Sequence, residues 1–257
     1  MKRNRNTSRR RTVLLLIFVA LAFYAVRSQG LFYSGLFPKV TTPVSVPQEI
    51  PKTDVYRILD QWSFNDALAL KPFEEKIFKG RTRFEIKREG AQGYLGSASQ
   101  DACSGLYVKT NREAVPDLWI NWKWRVKQFP VKKKPDILSN RAEDDFAARV
   151  YVIFLAKSFF RSNVIEYIWD EKLVEGTTAD SPYSDRIKLV VVRSGASGEG
   201  EGAWKQEMRN VYKDHTNLFG KPPKDPVGMI ALMSDSDNTQ SSASADFADI
   251  VLKLKRF

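Results

Sequence analysis

The segment Asp144–Leu155 limits the fold more than any other part of the chain. Phe146, Ala148, Val150, Val152 and Phe154 fall on one side of an extended backbone, and Asp145, Ala147, Arg149, Tyr151, Ile153 and Leu155 on the other. Successive side chains of a strand point to opposite faces, so this alternation predicts a central strand with one greasy face. The second face begins polar and turns apolar. A charge in mid-strand, here Arg149, has to meet solvent, a carboxylate or a ligand.

The rest of the chain repeats the strand pattern. In Leu118–Lys127, Ile120, Trp122, Trp124 and Val126 take one face and Asn121, Lys123, Arg125 and Lys127 the other. The plain expectation is that both tryptophans anchor the core; the sharper one makes one of them a stacking platform for a sugar or a base. Further strands are predicted at Thr82–Arg88, Gly93–Ser99, Gly105–Lys109, Asn163–Trp169, Arg186–Arg193, Ala203–Val211, Val227–Met233 and Phe247–Leu254. One helix is predicted, Asn210–Phe219, closed by Gly220 and two prolines. Many short strands and one small helix predict an all-β, antiparallel β-sandwich over residues 55–257. The glycine-rich run Ser194–Gly202 lacks the Gly-Lys-Ser/Thr ending of a phosphate loop and reads as a connector.

The formal net charge of +11 sits mostly at the N-terminus. Seven of the 41 basic residues lie within residues 1–27, with no acid, which leaves 34 basic against 30 acidic residues in the remainder. That balance argues against a nucleic-acid partner. Behind the basic head, Val13–Val26 is wholly apolar apart from one tyrosine hydroxyl. The expected organisation is a cytoplasmic tail (1–11), a signal anchor or signal peptide (12–27), a proline-rich stalk (28–54) and the folded domain, carried into the periplasm. The membrane is thus one expected partner. A single cysteine, Cys103, excludes an intramolecular disulfide and multi-cysteine metal centres, and a buried apolar role is expected for it. Lys132–Lys134, between prolines, reads as a solvated edge or a contact for an anionic surface.

Three stretches, Asp144–Phe154, Arg209–His215 and Met233–Thr239, follow the tryptophan strand in a distinctive order. Together they resemble a bacterial family of unknown function, number 3047, over roughly residues 55–255. The resemblance implies an exported β-sandwich similar to galactose-binding-like modules, and no established reaction. The closing strand Ala245–Leu252 is also similar to that of jelly-roll carbohydrate-binding modules.

Two constellations stand out as candidate sites. The first is a polar sheet face for a glycan, built from Arg149 and Tyr151 with Asn121, Lys123, Asp145 and Glu166, since guanidinium forks and amides suit sugar hydroxyls and carboxylates. Its plain alternative is a structural ion pair of Arg149 with Glu166. The second is the turn Ser234–Thr239, where Asp235, Asp237 and Asn238, with Asp246 twelfth in line, offer oxygens to Ca2+. Gln240 stands where an EF-hand needs glycine, so the alternative is an Asx turn capping its own amides. His215 is the one imidazole, expected to be packed or capping, and no Ser-His-Asp order or hydrolase elbow occurs. The leading expectation is therefore a non-catalytic glycan-binding module. Alternatives are an envelope assembly protein holding a protein partner, and a glycan-active enzyme using Asp145, Glu166 or His215.

Overall fold

The computed structural model describes residues 55–195 and 202–256. The expected tail, anchor and stalk, and most of the Ser194–Gly202 connector, lie outside the described residues. The described chain forms β1 (Val55–Trp62), β2 (Phe73–Lys79), β3 (Arg83–Glu89), β4 (Gln92–Gln100), β5 (Cys103–Arg112), β6 (Leu118–Gln128), β7 (Ala148–Phe154), β8 (Asn163–Asp170), β9 (Thr178–Ser181), β10 (Ser184–Ser194), β11 (Lys205–Asn210), helix α1 (Val211–Phe219), β12 (Val227–Asp235) and β13 (Ser242–Arg256).

These strands make two sheets. One has six strands in the order β11-β6-β13-β4-β3, with β1 paired to the far half of β13; the other has seven, β2-β5-β12-β7-β8-β10-β9. The inner faces meet as period-2 alternation requires. Ile120, Trp122 and Trp124 of β6 pack against Val150, Val152 and Phe154 of β7 and Ile165, Tyr167 and Trp169 of β8 in one continuous core. Trp122 stacks on Tyr167 with ring centroids 5.3 Å apart, and Trp124 lies 5.6 Å from Trp169. An aromatic side chain buries roughly 200 Å², about 5 kcal/mol at roughly 25 cal/mol per Å², so this cluster is a main source of stability. Both tryptophans are core anchors, as their alternation suggested.

One pair departs from the antiparallel expectation: β10 runs parallel to β8. After β8 the chain skips a position, runs back along the edge as β9 and turns into the gap between them. The strand at the centre of the seven-stranded sheet also starts later than its alternation suggests. Asp144–Ala147 lead into β7 without belonging to it. At the other end, the Asn210 side chain caps α1 by accepting from the Lys213 amide at 2.9 Å, and Gly220 closes the helix at φ +68°. Gly93 allows the segment after β1 to cross the sheet, because a Cβ there would lie 2.1 Å from the carbonyl oxygen of Phe64.

Candidate functional site

The outer face of the seven-stranded sheet is organised around Arg149, and around that residue it is covered. Leu138 and Phe146, from the segment before β7, and Leu173 and Ala179, from the segment after β8, pack on Ile168, Leu189 and Val191. Beneath this cover Arg149 is 2% exposed. Its Nε donates to Asp235 Oδ1 at 2.8 Å, and its two terminal nitrogens reach Glu166, the second oxygen of Asp235 and the backbone carbonyl of Asp144. The Asp144 carboxylate stands 3.6 Å away, and the Phe146 ring lies 4.6 Å from the guanidinium. Here three carboxylates face one guanidinium. Burial pushes the Asp144 carboxyl up to about 6 against the pull of Arg149, and raises Asp235 for the same reason. Tyr151, 9% exposed, lays its hydroxyl 3.7 Å from Met233 Sδ.

This geometry corrects the first expected constellation. Arg149, Glu166 and Asp145 are buried and committed to other protein groups. Asp145 accepts from the Thr239 amide at 2.6 Å, the Thr239 hydroxyl at 2.7 Å and the Asn238 amide at 3.2 Å. It therefore closes the 236–239 turn from outside and takes no part in a ligand face. Asn121 and Lys123 lie on β6, in the other sheet, so the six residues do not form one surface.

The calcium expectation is corrected as well. Asp246, on β13 in the six-stranded sheet, is bound by Arg125 at 2.7 Å and Lys127 at 2.9 Å. Asn238 is a donor to Asp145, and Asp235 is held by Arg149 and the Phe146 amide. Oxygen-bearing side chains spaced like a calcium loop fold here into a turn whose Asn238 and Thr239 amides are capped by Asp145. Asp235 and Asp237 do approach Cys103, but a protonated thiol, raised well above its usual range by burial, is a poor partner for a hard cation.

The outer face of the six-stranded sheet is aromatic and ionic. Arg125, Lys123 and Asn121 project from β6 on the side opposite the core tryptophans. Arg125 lies beneath two aromatic rings, 4.6 Å from the centroid of Trp204 and 5.1 Å from that of Tyr94, which meet edge to face at 5.5 Å. The Trp204 indole donates to Glu89 at 3.2 Å, and Arg125 binds Glu89 at 2.9 Å and Asp246 at 2.7 Å. Trp204 and Arg125 hold the Glu89 carboxyl below its usual range, the indole hydrogen bond being the larger influence. Trp204 is half-buried, and Gln206, Lys87, Glu85 and Arg83 of the same outer face are exposed or half-buried.

Along the same face a break in the β13 ladder carries Asp249 at φ +50°. A bulge of this kind re-aims a side chain. Asp249 meets Lys123 at 2.8 Å, and its carbonyl accepts from Asn121 at 3.4 Å. The face thus carries an aromatic platform beside a row of alternating cations and carboxylates. Asn121, Lys123 and Asp246, expected in two different sites, meet here. Trp204 and Tyr94 were not anticipated. The signal for Arg125 was its place on the polar side of the tryptophan strand.

His215 is a packing residue. Its ring sits between Phe154 and Phe219, at 4.6 and 4.5 Å, with Nδ1 3.0 Å from the Lys221 carbonyl and Nε2 3.0 Å from Asn163. Burial lowers its pKa. Asp145, Glu166 and His215 each have separate partners and do not converge.

Fold and site together define a two-sheet β-sandwich with one outer face sealed over Arg149 and the other aromatic and ionic. Residues 61–251 match the family described as "Protein of unknown function (DUF3047)", and the chain belongs to that family. A search of curated proteins gave no match. Similar solved structures include a family 11 carbohydrate-binding module from Clostridium thermocellum in complex with a β-1,3-1,4-mixed-linked tetrasaccharide, at 11% identity over 77% of this chain and 94% of that one, with a TM-score of 0.41. They also include TmCBM27, a mannan-recognising carbohydrate-binding module (9% identity, 79% and 99% covered, TM-score 0.39). A third is the K3 cleaved adhesin domain of Lys-gingipain from Porphyromonas gingivalis (11%, 76% and 99%, TM-score 0.36). These are likenesses of fold outline, and what those proteins bind is a property of theirs.

Proposed function

We propose that the chain is a non-catalytic module that binds a saccharide on the outer face of its six-stranded sheet, with Trp204 as the stacking platform. The observation that carries this reading is the half-exposed Trp204 ring, held by Arg125, Tyr94 and Glu89. A sugar ring has an apolar C–H face that packs on an indole, and hydroxyls that take both donors and acceptors. The mixed row of Lys87, Lys123, Lys127, Glu89 and Asp249 supplies both. Residues 12–27 tether the module to the cytoplasmic membrane, residues 28–54 join that tether to the domain, and the domain faces the periplasm. The basic head, apolar run and proline-rich stretch support that placement. Among the described residues no helix is long and apolar enough to cross a membrane.

The test is binding of the full chain to an array of envelope polysaccharide fragments, beside Trp204→Ala. Binding by the native chain that falls at least tenfold in the variant supports the reading. No binding by the native chain, or binding indifferent to Trp204, overturns it.

One observation favours a second reading. On the seven-stranded sheet, Phe78, Ile153, Ile187 and Ala231 are half-buried around Cys103, Tyr151, Val164 and Met233. Such an apolar strip suits a protein partner, in an assembly role. Crosslinking from Ile153 that captures one dominant protein, with no glycan affinity, selects this alternative.

A further inference from the structure

The six-stranded sheet has a second distinctive region on its outer face, at the end opposite Trp204. There β1 lies against the last residues of β13, with Tyr56 opposite Lys255 and Ile58 opposite Lys253; on the other side of β13, Trp119 of β6 is also opposite Lys253. By alternation all five side chains point outward. Ile58 is 57% exposed, and Val55 at the strand start is 60% exposed. The Lys253 ammonium stands 4.3 Å from the Tyr56 ring centroid, and Tyr56 meets Trp119 edge to face at 6.4 Å. Arg57 and Arg256 are exposed to solvent. Two lysines, one exposed aliphatic and a Tyr–Trp pair thus share this end of the outer face, while Val55, Arg57 and Arg256 alternate to the other side of the sheet.

This is the composition of a membrane interface. Aromatic rings with polar edges settle at headgroup level, aliphatic side chains enter the boundary, and lysine and arginine meet anionic headgroups. We propose that this end of the domain rests directly on an anionic bilayer surface, through Ile58, Tyr56, Lys253 and Lys255. Two further observations support the choice of partner. The nearby acid Asp60 is bound by Arg112 and Thr110, at 2.7 and 2.8 Å, and so is turned to the chain's own groups. Residue 55, where β1 begins, is also the point from which the chain runs back towards the apolar stretch Val13–Val26. The geometry suits the glycan site as well. Trp119 and Arg125 are six residues apart on β6, so the Trp204 platform stands about 20 Å from the bilayer contact.

A rival patch lies at the opposite end of the sandwich, where Val131 and Ile137 are exposed beside Lys133 and Lys134. It carries carboxylates of its own. The Glu143 carboxylate accepts from the amides of Lys133 and Lys134 at 2.8 and 2.7 Å, and Lys132 is bound to Asp170 at 3.0 Å. The comparison between the two ends is therefore built into the test.

The experiment uses the full chain carrying a nitroxide at Ile58→Cys, and separately at Ile137→Cys. Cys103 is buried and stays unlabelled. Each is combined with vesicles of phosphatidylcholine alone, and of phosphatidylcholine with phosphatidylglycerol. Accessibility to oxygen against a water-soluble nickel complex reports whether the label is in lipid. The label at 58 is expected in lipid in the anionic vesicles, returning to water in high salt, while the label at 137 stays aqueous throughout. Lys253→Ala and Lys255→Ala each reduce the lipid-contacting fraction about fivefold. Thermal melts of both variants establish that the fold is intact. An aqueous label at 58 in anionic vesicles, a lipid-facing label at 137, or no association with vesicles overturns the inference. Saccharide binding is not the readout, so failure here leaves the Trp204 reading standing.

Discussion

The two outer sheet faces of this sandwich treat arginine in opposite ways. Arg149, on the seven-stranded sheet, is ringed by Asp144, Glu166 and Asp235 and roofed by Phe146. Arg125, on the six-stranded sheet, is just as inaccessible, yet what hides it is Tyr94 and Trp204, and Trp204 is itself half-exposed. In the first case the guanidinium satisfies buried carboxylates and the surface above it is closed. In the second it braces an aromatic ring from below, and that ring is what solvent sees. A buried arginine is thus no guide by itself to a binding site; what lies on its outward side decides.

The sharpest way to break this contrast is to remove Arg149. Arg149→Met leaves Glu166, Asp235 and Asp144 buried without their cation, and a cost of about 3–5 kcal/mol is expected in urea unfolding. A loss under about 1 kcal/mol would mean that the cluster is hydrated and the face open. Trp204→Ala makes the complementary case. Its stacking on Arg125 is worth about 1 kcal/mol or less at a half-exposed site, so stability barely moves while saccharide affinity falls at least tenfold. A thermal melt and a titration on the same preparation separate the two effects.

A smaller, pH-dependent effect sharpens the picture of the sealed face. The Asp144 carboxyl is raised from 3.8 to about 6 in the folded state. Between those values the folded chain holds a proton that the unfolded chain has lost, so this group lowers stability as pH rises through that window. Asp144→Asn removes the titration. The variant is expected to gain on the native chain from pH 4 to 6, to keep that gain at pH 7, and to show no pH-dependent difference below pH 4. Paired urea melts across the range check this, and parallel profiles would place an ionised Asp144 in contact with water. The smallest effect expected is that of calcium. A site saturated a hundredfold above its Kd adds about 2.7 kcal/mol, whereas adding Ca2+ or EDTA here is expected to leave Tm unchanged.

Much of the architecture was legible because its signals are local. Period-2 runs marked β6 and β7, and Asn210, Gly220 and the following prolines bounded α1 within a residue. β1, β2 and β9 escaped notice. β1 and β2 carry charged residues on both faces, as edge strands do, and β9 spans only four residues. The candidate sites were less legible because they depend on which strands become neighbours. Glu166 as a partner for Arg149 followed from two strands sharing a polar face. That Asn121 and Lys123 belong to the opposite sheet, and Asp246 with them, is a fact of topology that no spacing encodes. Trp204 stands alone after a glycine-rich run, and only the fold lays it on Arg125.

The longest strand, β13, closes the described chain and is the spine of the six-stranded sheet, pairing with β6 on one side and with β4 and then β1 on the other. Until residues 242–256 have left the ribosome, the first strand and the tryptophan strand have nothing to join them, and half of the sandwich stays open. Such a chain cannot complete its six-stranded layer until β13 has been synthesised. Clipping its last few residues is expected to release β1 and free the near end of β6.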